Sequence, residues 1–168
     1  PYILAGWLDF LSKDFINTEK NAKKALELDP FNSKIIPVAG SLLRRLGYYD
    51  DALPVFTKTL ELSSNPAHWV WFEYAITLTA LKKYEKANKI IEKALTTKEA
   101  GTQNTILILN QAAIAVYENK IEIAKEKCKE AKSRTPNFNL EKNLKMMSDT
   151  VDKDFYDNFL SAVKSACE

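Results

Sequence analysis

The stretch "LGYYDDALPVF", Leu46 to Phe56, sets a glycine and two tyrosines before two acids, an alanine and, four residues on, a phenylalanine. Alone it reads as a turn leading into an amphipathic helix. The same pattern returns as "LKKYEKANKII" (Leu81–Ile91) and as "ENKIEIAKEKC" (Glu118–Cys128). Ala52, Ala87 and Ala124 therefore lie 35 and 37 residues apart. An earlier copy, "LSKDFINTEKNA" (Leu11–Ala22), places Thr18 34 residues before Ala52.

The surroundings repeat as well. Upstream of each copy is a helical stretch with a small pair or its equivalent: Ala5-Gly6, Ala39-Gly40, Tyr74-Ala75 and Gln111-Ala112. Downstream come "KALELDP" (Lys24–Pro30), "KTLELSS" (Lys58–Ser64), "KALTTKE" (Lys93–Glu99) and "KEAKSRTP" (Lys129–Pro136). Pro30 and Pro136 close their copies, as residues that cannot continue a helix. Helix, turn and helix at a period of about 34 means stacked antiparallel helix pairs. Small residues belong where the two helices cross, and large ones fill the gap to the next pair. One pair cannot bury its apolar face, so several must stack.

This order resembles the tetratricopeptide repeat family over roughly residues 2–136. Copy two supplies Ile36, Ala39-Gly40, Leu43, Gly47, Tyr49, Ala52 and Phe56; copy three supplies Trp71, Tyr74-Ala75, Leu78, Tyr84, Ala87, Ile91 and Ala94. Copy four supplies Ile108, Ala112, Ala115, Ile121, Ala124, Cys128, Ala131 and Pro136. The resemblance implies an all-α fold, a right-handed superhelical solenoid of about four helix pairs. The copies fall at residues 1–32, 33–66, 67–103 and 104–136, followed by capping helices over 137–168. Two features depart from the pattern. Pro54 removes a backbone bond from the second helix of copy two unless that helix starts near Asp50. The junction "TTKEAGTQN" (Thr96–Asn104) has extra residues and no proline, and is expected to be looser.

Beyond Pro136, "NFNLEKNLKMM" (Asn137–Met147) reads as a short helix. Asp149 or Asp152 can cap a last helix that carries Val151, Phe155, Phe159 and Val163 at helical spacing, with Leu160 alongside. Its expected role is to cover the last unit; the alternative is a helix that folds back into the groove. This ending, with Arg134–Phe138 and the segment Asn65–Ala87, also resembles the C-terminal repeat part of certain bacterial signalling proteins. Those carry a winged-helix or class III nucleotide cyclase domain, which implies a regulatory part whose output lies outside this sequence.

Composition narrows the chemistry. The 168 residues are 46% hydrophobic and 27% charged, with 24 basic and 22 acidic residues and a net charge of +2. Interspersed Lys and Glu read as solvated helix faces rather than a nucleic-acid footprint. No apolar run approaches the roughly 18 residues of a membrane span. The sequence starts at Pro1 rather than Met and is read as a fragment, so the lack of a signal peptide carries no weight. Cys128 and Cys167 make neither a disulfide framework nor a metal spacing, and are expected as reduced thiols in a cytoplasmic protein.

The lone His68 leaves serine-triad, cysteine–histidine and zincin arrangements without a partner motif, and suits a helix entry better. The acids Asp149, Asp152, Asp154 and Asp157 lack the glycine and the final glutamate of a calcium loop; Val163 stands where that glutamate should be. No glycine-rich phosphate cradle is present. Neither enzyme activity nor a cofactor is expected.

Binding remains. In the family, the concave face comes from the first helix of each pair and takes extended peptides or helices. Transferred copy by copy, that face holds Trp7 and Phe10, then Val38, Arg44 and Arg45. It continues with Trp69, Phe72, Glu73 and Ile76, then Leu109, Asn110 and Tyr117. The chaperone-binding branch grips a terminal carboxylate through Lys and Asn on these helices; Ile3, Trp7 and Val38 stand there instead, so heat-shock-protein tails are not expected ligands. The resemblance implies a non-catalytic module that holds a peptide or partner helix in an apolar groove with a cationic spot at Arg44 and Arg45. The alternative is a scaffold whose end faces stack two chains into a homodimer.

Overall fold

Four helix pairs follow one another in the computed structural model, which describes residues 1–63, 66–97 and 102–168. They are α1 (Tyr2–Leu11) with α2 (Phe15–Leu28), α3 (Ile36–Arg45) with α4 (Tyr49–Leu62), α5 (His68–Ala80) with α6 (Tyr84–Leu95), and α7 (Thr102–Tyr117) with α8 (Ile121–Arg134). Each second helix packs on the first helix of the next pair, so the pairs stack in chain order. Within the junction expected to be loose, residues 98–101 lie outside the described residues.

The repeat is written in the turns. Lys13, Gly47, Lys82 and Asn119, one per pair, all adopt a left-handed backbone, with φ of 64°, 86°, 57° and 59°. The next residue in each turn bonds back to the first helix. Asp14 donates to Asp9 at 2.8 Å, Tyr48 to Leu43 at 3.0 Å, Lys83 to Leu78 at 2.9 Å and Lys120 to Ala115 at 2.8 Å. This is the helix-ending motif that satisfies otherwise orphaned carbonyls. Only copy two uses glycine for it.

The second helices repeat in burial. Thr18, Ala52, Ala87 and Ala124 are fully buried. One turn later so are Ala22, Phe56, Ile91 and Cys128, and then Ala25, Thr59, Ala94 and Ala131. This i, i+4, i+7 stripe is the face a helix turns toward its partner. The small residues allow the close crossing: a Cβ added to Gly40 would stand 3.0 Å from Val55 and 3.1 Å from Phe56 of α4. Helix α4 begins at Tyr49 and runs through Pro54, which costs the Asp50 carbonyl its helical donor. Both residues are exposed, which leaves that carbonyl on the solvent side of the helix.

After α8 the chain forms α9 (Leu140–Leu144), a 3-10 turn (Lys145–Met147) and α10 (Lys153–Cys167). Asp152, not Asp149, caps α10, its carboxylate accepting the Phe155 amide at 2.9 Å. Helix α10 packs against α7 and α8 and buries Phe159, Ala162, Val163 and Ala166. Val151 falls outside this stripe and is partly exposed.

The cysteines are not free thiols: Cys128 and Cys167 form a disulfide. Cys128 occupies the inward register position of α8, and the last turn of α10 lies against that face. Only the tertiary packing of α10 brings the two sulfurs together, so their spacing of 39 residues carried no local signal. Among the described residues, no helix is long and apolar enough to cross a membrane.

Candidate functional site

The inner positions of the first helices do not form an open groove. Phe72, Ile76, Leu109 and Asn110 are fully enclosed, and Glu73 nearly so. Helices α9 and α10 pack on α7, so the chain's own C-terminal segment takes up space that a repeat array would leave to a partner. Asn110 serves the interior, its side-chain oxygen accepting from the Thr79 hydroxyl at 3.0 Å.

The expected cationic spot is also internal. Arg44 is fully buried; its Nε donates to Glu73 Oε2 at 2.6 Å and its Nη2 to Oε1 at 3.2 Å. Ser41 donates to the same carboxylate at 3.0 Å, and Arg45 lies 3.5 Å from it. Two guanidiniums thus converge on Glu73. Burial pulls the Arg45 guanidinium below its ordinary value, opposed by the Glu73 carboxylate. Arg44 and Glu73 hold the second pair to the third and offer a ligand no free charge.

Arg45 faces two ways. Its guanidinium lies over the Trp7 ring at 5.2 Å, and its Nη1 donates to Asp149 Oδ2 at 3.4 Å. Its backbone carbonyl accepts the Val151 amide at 2.7 Å and the Thr150 hydroxyl at 3.3 Å. Beside it the Gly47 turn comes close to Asp152, where an added Cβ would meet the Asp152 Cβ at 3.4 Å. The Tyr49 ring contacts Phe155 at 5.5 Å. Residues 148–152 therefore form a strap from the C-terminal helices to the turn of the second pair.

Between this strap and the first pair an apolar cleft of about 540 Å³ stays open. Trp7, Phe10, Leu11 and Phe15 line one side, Ser148 to Val151 the other, and Lys13 and Lys153 stand at its margins. The aromatic wall is braced internally, with Trp7 edge-on to Phe10 at 6.0 Å and Phe10 tilted to Phe15 at 6.0 Å. Leu11 is 72% exposed. Such a cleft suits an apolar side chain with a carboxylate nearby.

Of the twelve positions transferred from the family, Trp7 and Phe10 line this cleft. Trp69 lines a smaller cleft of about 340 Å³ with Lys34, Pro37 and Val70. Val38 is half-buried, and Tyr117 stacks on Tyr84 at 5.7 Å. Leu11, Lys13, Phe15, Val151 and Lys153 belong to the site but were not singled out for it. For Leu11 and Phe15 the signal was the run of large apolar residues on both sides of the Lys13 turn; Val151 and Lys153 had no signal in the repeat register. Among the described residues, no cluster of His, Cys, Asp and Glu could hold a metal ion.

No protein-family model matches the chain, and no curated protein matches it in sequence. Solved structures do match in shape. MamA protein aligns at 17% identity with a TM-score of 0.70, over 98% of this chain and 87% of that one. Pseudomonas aeruginosa pilF aligns at 19% identity and 0.68, over 96% and 74%. PilW, described as a widely conserved type IV pilus biogenesis factor, aligns at 17% and 0.68, over 97% and 76%. These are tetratricopeptide-repeat proteins, and the likeness establishes the fold: this chain is an all-helical repeat solenoid of that type.

Proposed function

We propose that the chain is a non-catalytic protein-interaction module whose contact surface is the cleft between α1 and the 148–152 strap. The observation that carries this reading is the cleft wall of half-buried Trp7, Phe10 and Phe15 with exposed Leu11, left open where the inner helix faces are buried. The partner segment presents an apolar side chain with an acidic neighbour, matched to Lys13 and Lys153. The repeat folds of MamA, pilF and PilW support an interaction role in general terms. A regulatory part beside an output domain is a finer form of the reading and rests on the resemblance of residues 134–138 and the last helix. The Cys128–Cys167 disulfide supports folding in an oxidising compartment rather than the cytoplasm.

The test is affinity capture from the native host, wild type beside Leu11→Asp and Phe10→Ala, with circular dichroism as the folding control. A protein held by the wild type and released by both variants supports the cleft. Equal retention by folded variants overturns it.

A second reading has its own observation. Leu4, Leu8 and Leu11 form an exposed stripe on α1, with Leu8 58% exposed. The repeat register equates Leu8 with Leu42, Thr77 and Ile114, all fully buried inside the array. Leu42 itself packs on the preceding pair at Gly6. This end face is suited to stacking, so a scaffold would associate here and not through Phe159, which is core. Sedimentation over a hundredfold concentration range tests it: a dimer abolished by Leu8→Glu supports stacking, and a monomer throughout removes it.

A further inference from the structure

We propose that the strap, residues 148–152, is a built-in occupant of part of the contact surface. The protein partner's binding segment then shares its chemistry: a short turn that carries a carboxylate, a hydroxyl and an aliphatic residue in that order. The inference rests on the interaction reading above and names the partner's segment.

The strap is held as a ligand would be. Asp149 supplies a carboxylate to Arg45 Nη1, and Thr150, buried to 3%, gives its hydroxyl to the Arg45 carbonyl. Val151 gives its amide to that same carbonyl at 2.7 Å. A helix-terminal carbonyl that takes a hydroxyl and an amide from successive residues of a turn is a main-chain receptor for a segment of that shape. The neighbouring guanidinium adds preference for a carboxylate. Asp149 itself stays 63% exposed at the side chain, and Val151 is 37% exposed. The strap therefore holds the receptor through few groups, while α10 is fixed independently by Phe159, Val163 and the disulfide. Tethering gives the strap a high effective concentration, so an external segment of like chemistry binds weakly until the strap is loosened.

The experiment uses the full chain and a fluorescein-labelled pentapeptide, Ser-Asp-Thr-Val-Asp, blocked at its C-terminus, read by fluorescence anisotropy. The double variant Asp149→Lys/Val151→Pro removes the strap's carboxylate and its amide donor; it alters the strap side of the cleft and leaves Arg45, Gly47 and the α1 wall of Trp7, Phe10 and Leu11 in place. The expected result is at least tenfold tighter peptide binding to the variant than to the wild type, and none for a peptide with Lys in place of its first Asp. Equal affinity for both proteins, or none for either with helical content retained, overturns the proposal. If the double variant loses helical content, Thr150→Ala takes its place, with an expected gain of about threefold; no gain overturns the proposal. Leu11→Asp separates the two readings. A failed peptide comparison beside a partner still lost on Leu11→Asp removes the strap and leaves the cleft. A successful comparison with the partner unaffected by Leu11→Asp removes the cleft as the partner's site.

Discussion

The carboxylate of Glu73 on α5 receives the Arg44 guanidinium of α3 at 2.6 Å, with both side chains out of contact with water. This pair crosses from the second helix pair to the third, and Arg45 approaches the same carboxylate. A charge enclosed in this way is tolerable only while its partner is present.

Removing that partner is therefore costly. Glu73→Ala leaves two guanidiniums facing each other in the interior and is expected to lower the unfolding free energy by about 3–5 kcal/mol. Urea denaturation followed by circular dichroism measures it. Glu85→Ala, which removes an exposed pair with Lys89, should leave the midpoint unchanged. Similar midpoints for the two variants would contradict the role given to Glu73.

The turns make a second prediction. Lys82 and Asn119 hold a conformation that glycine adopts without strain, as Gly47 already does. Lys82→Gly and Asn119→Gly are each expected to raise stability by about 0.5–1 kcal/mol. Gly47→Ala should lower it by about 1–2 kcal/mol, because alanine at this φ is strained. The same denaturation curves decide the sign at each turn.

The disulfide makes a third. It spans 39 residues, and chain entropy alone assigns a loop of that size about 4 kcal/mol. Cys167→Ser should lose most of this while the first four pairs stay helical. Hydrogen exchange should then show α10 opening before α3 and α5. Uniform loss of protection over the whole chain would contradict an independent role for the last helix.

Two tyrosines carry a pH dependence. Burial raises the Tyr49 phenol, with the Asp152 carboxylate adding to the shift, and burial also raises Tyr117, with Tyr84 contributing. A raised folded value means that the folded state keeps the proton longer than the unfolded chain. The associated stability is present below the unfolded value of about 10 and is lost as pH rises through the folded one. Absorbance titration at alkaline pH should show these two phenols ionising after the exposed ones, with unfolding accompanying them. Simultaneous titration of all the tyrosines in folded protein would contradict it.

The array was legible because its determinants are local. Ala52, Ala87 and Ala124 recur at a fixed spacing, and each is buried because the same helix crossing is built each time. Thr18 fills that position in the first copy, its hydroxyl bonding back to the Asp14 carbonyl at 2.7 Å, so a polar residue is accommodated there. Of the proposed contact surface, only Trp7 and Phe10 were legible. Whether Leu109 faces a groove or a core depends on what covers α7, and α9 and α10, which pack on it, lie after residue 136 in the sequence. The Arg45–Val151 bond and the Cys128–Cys167 bond join segments with no common period. Arg44 and Arg45 looked like a cationic spot because the answering Glu73 sits on another helix pair. An apolar stripe of Phe155, Phe159 and Val163 on the last helix signalled a buried helix, but not which surface it would bury.

The strap is held on the end of α3, and the amide of Val151 reports on it directly. Amide hydrogen exchange by NMR on the oxidised full chain is the measurement to make first. The hydrogen bond to the Arg45 carbonyl predicts that the Val151 amide exchanges at least a hundredfold more slowly than in an unstructured peptide, a difference of about 3 kcal/mol in opening free energy. Thr150→Ala and Asp149→Lys should reduce that protection. Exchange at the unstructured rate in folded protein would mean that the strap is not held on α3, and would contradict the account.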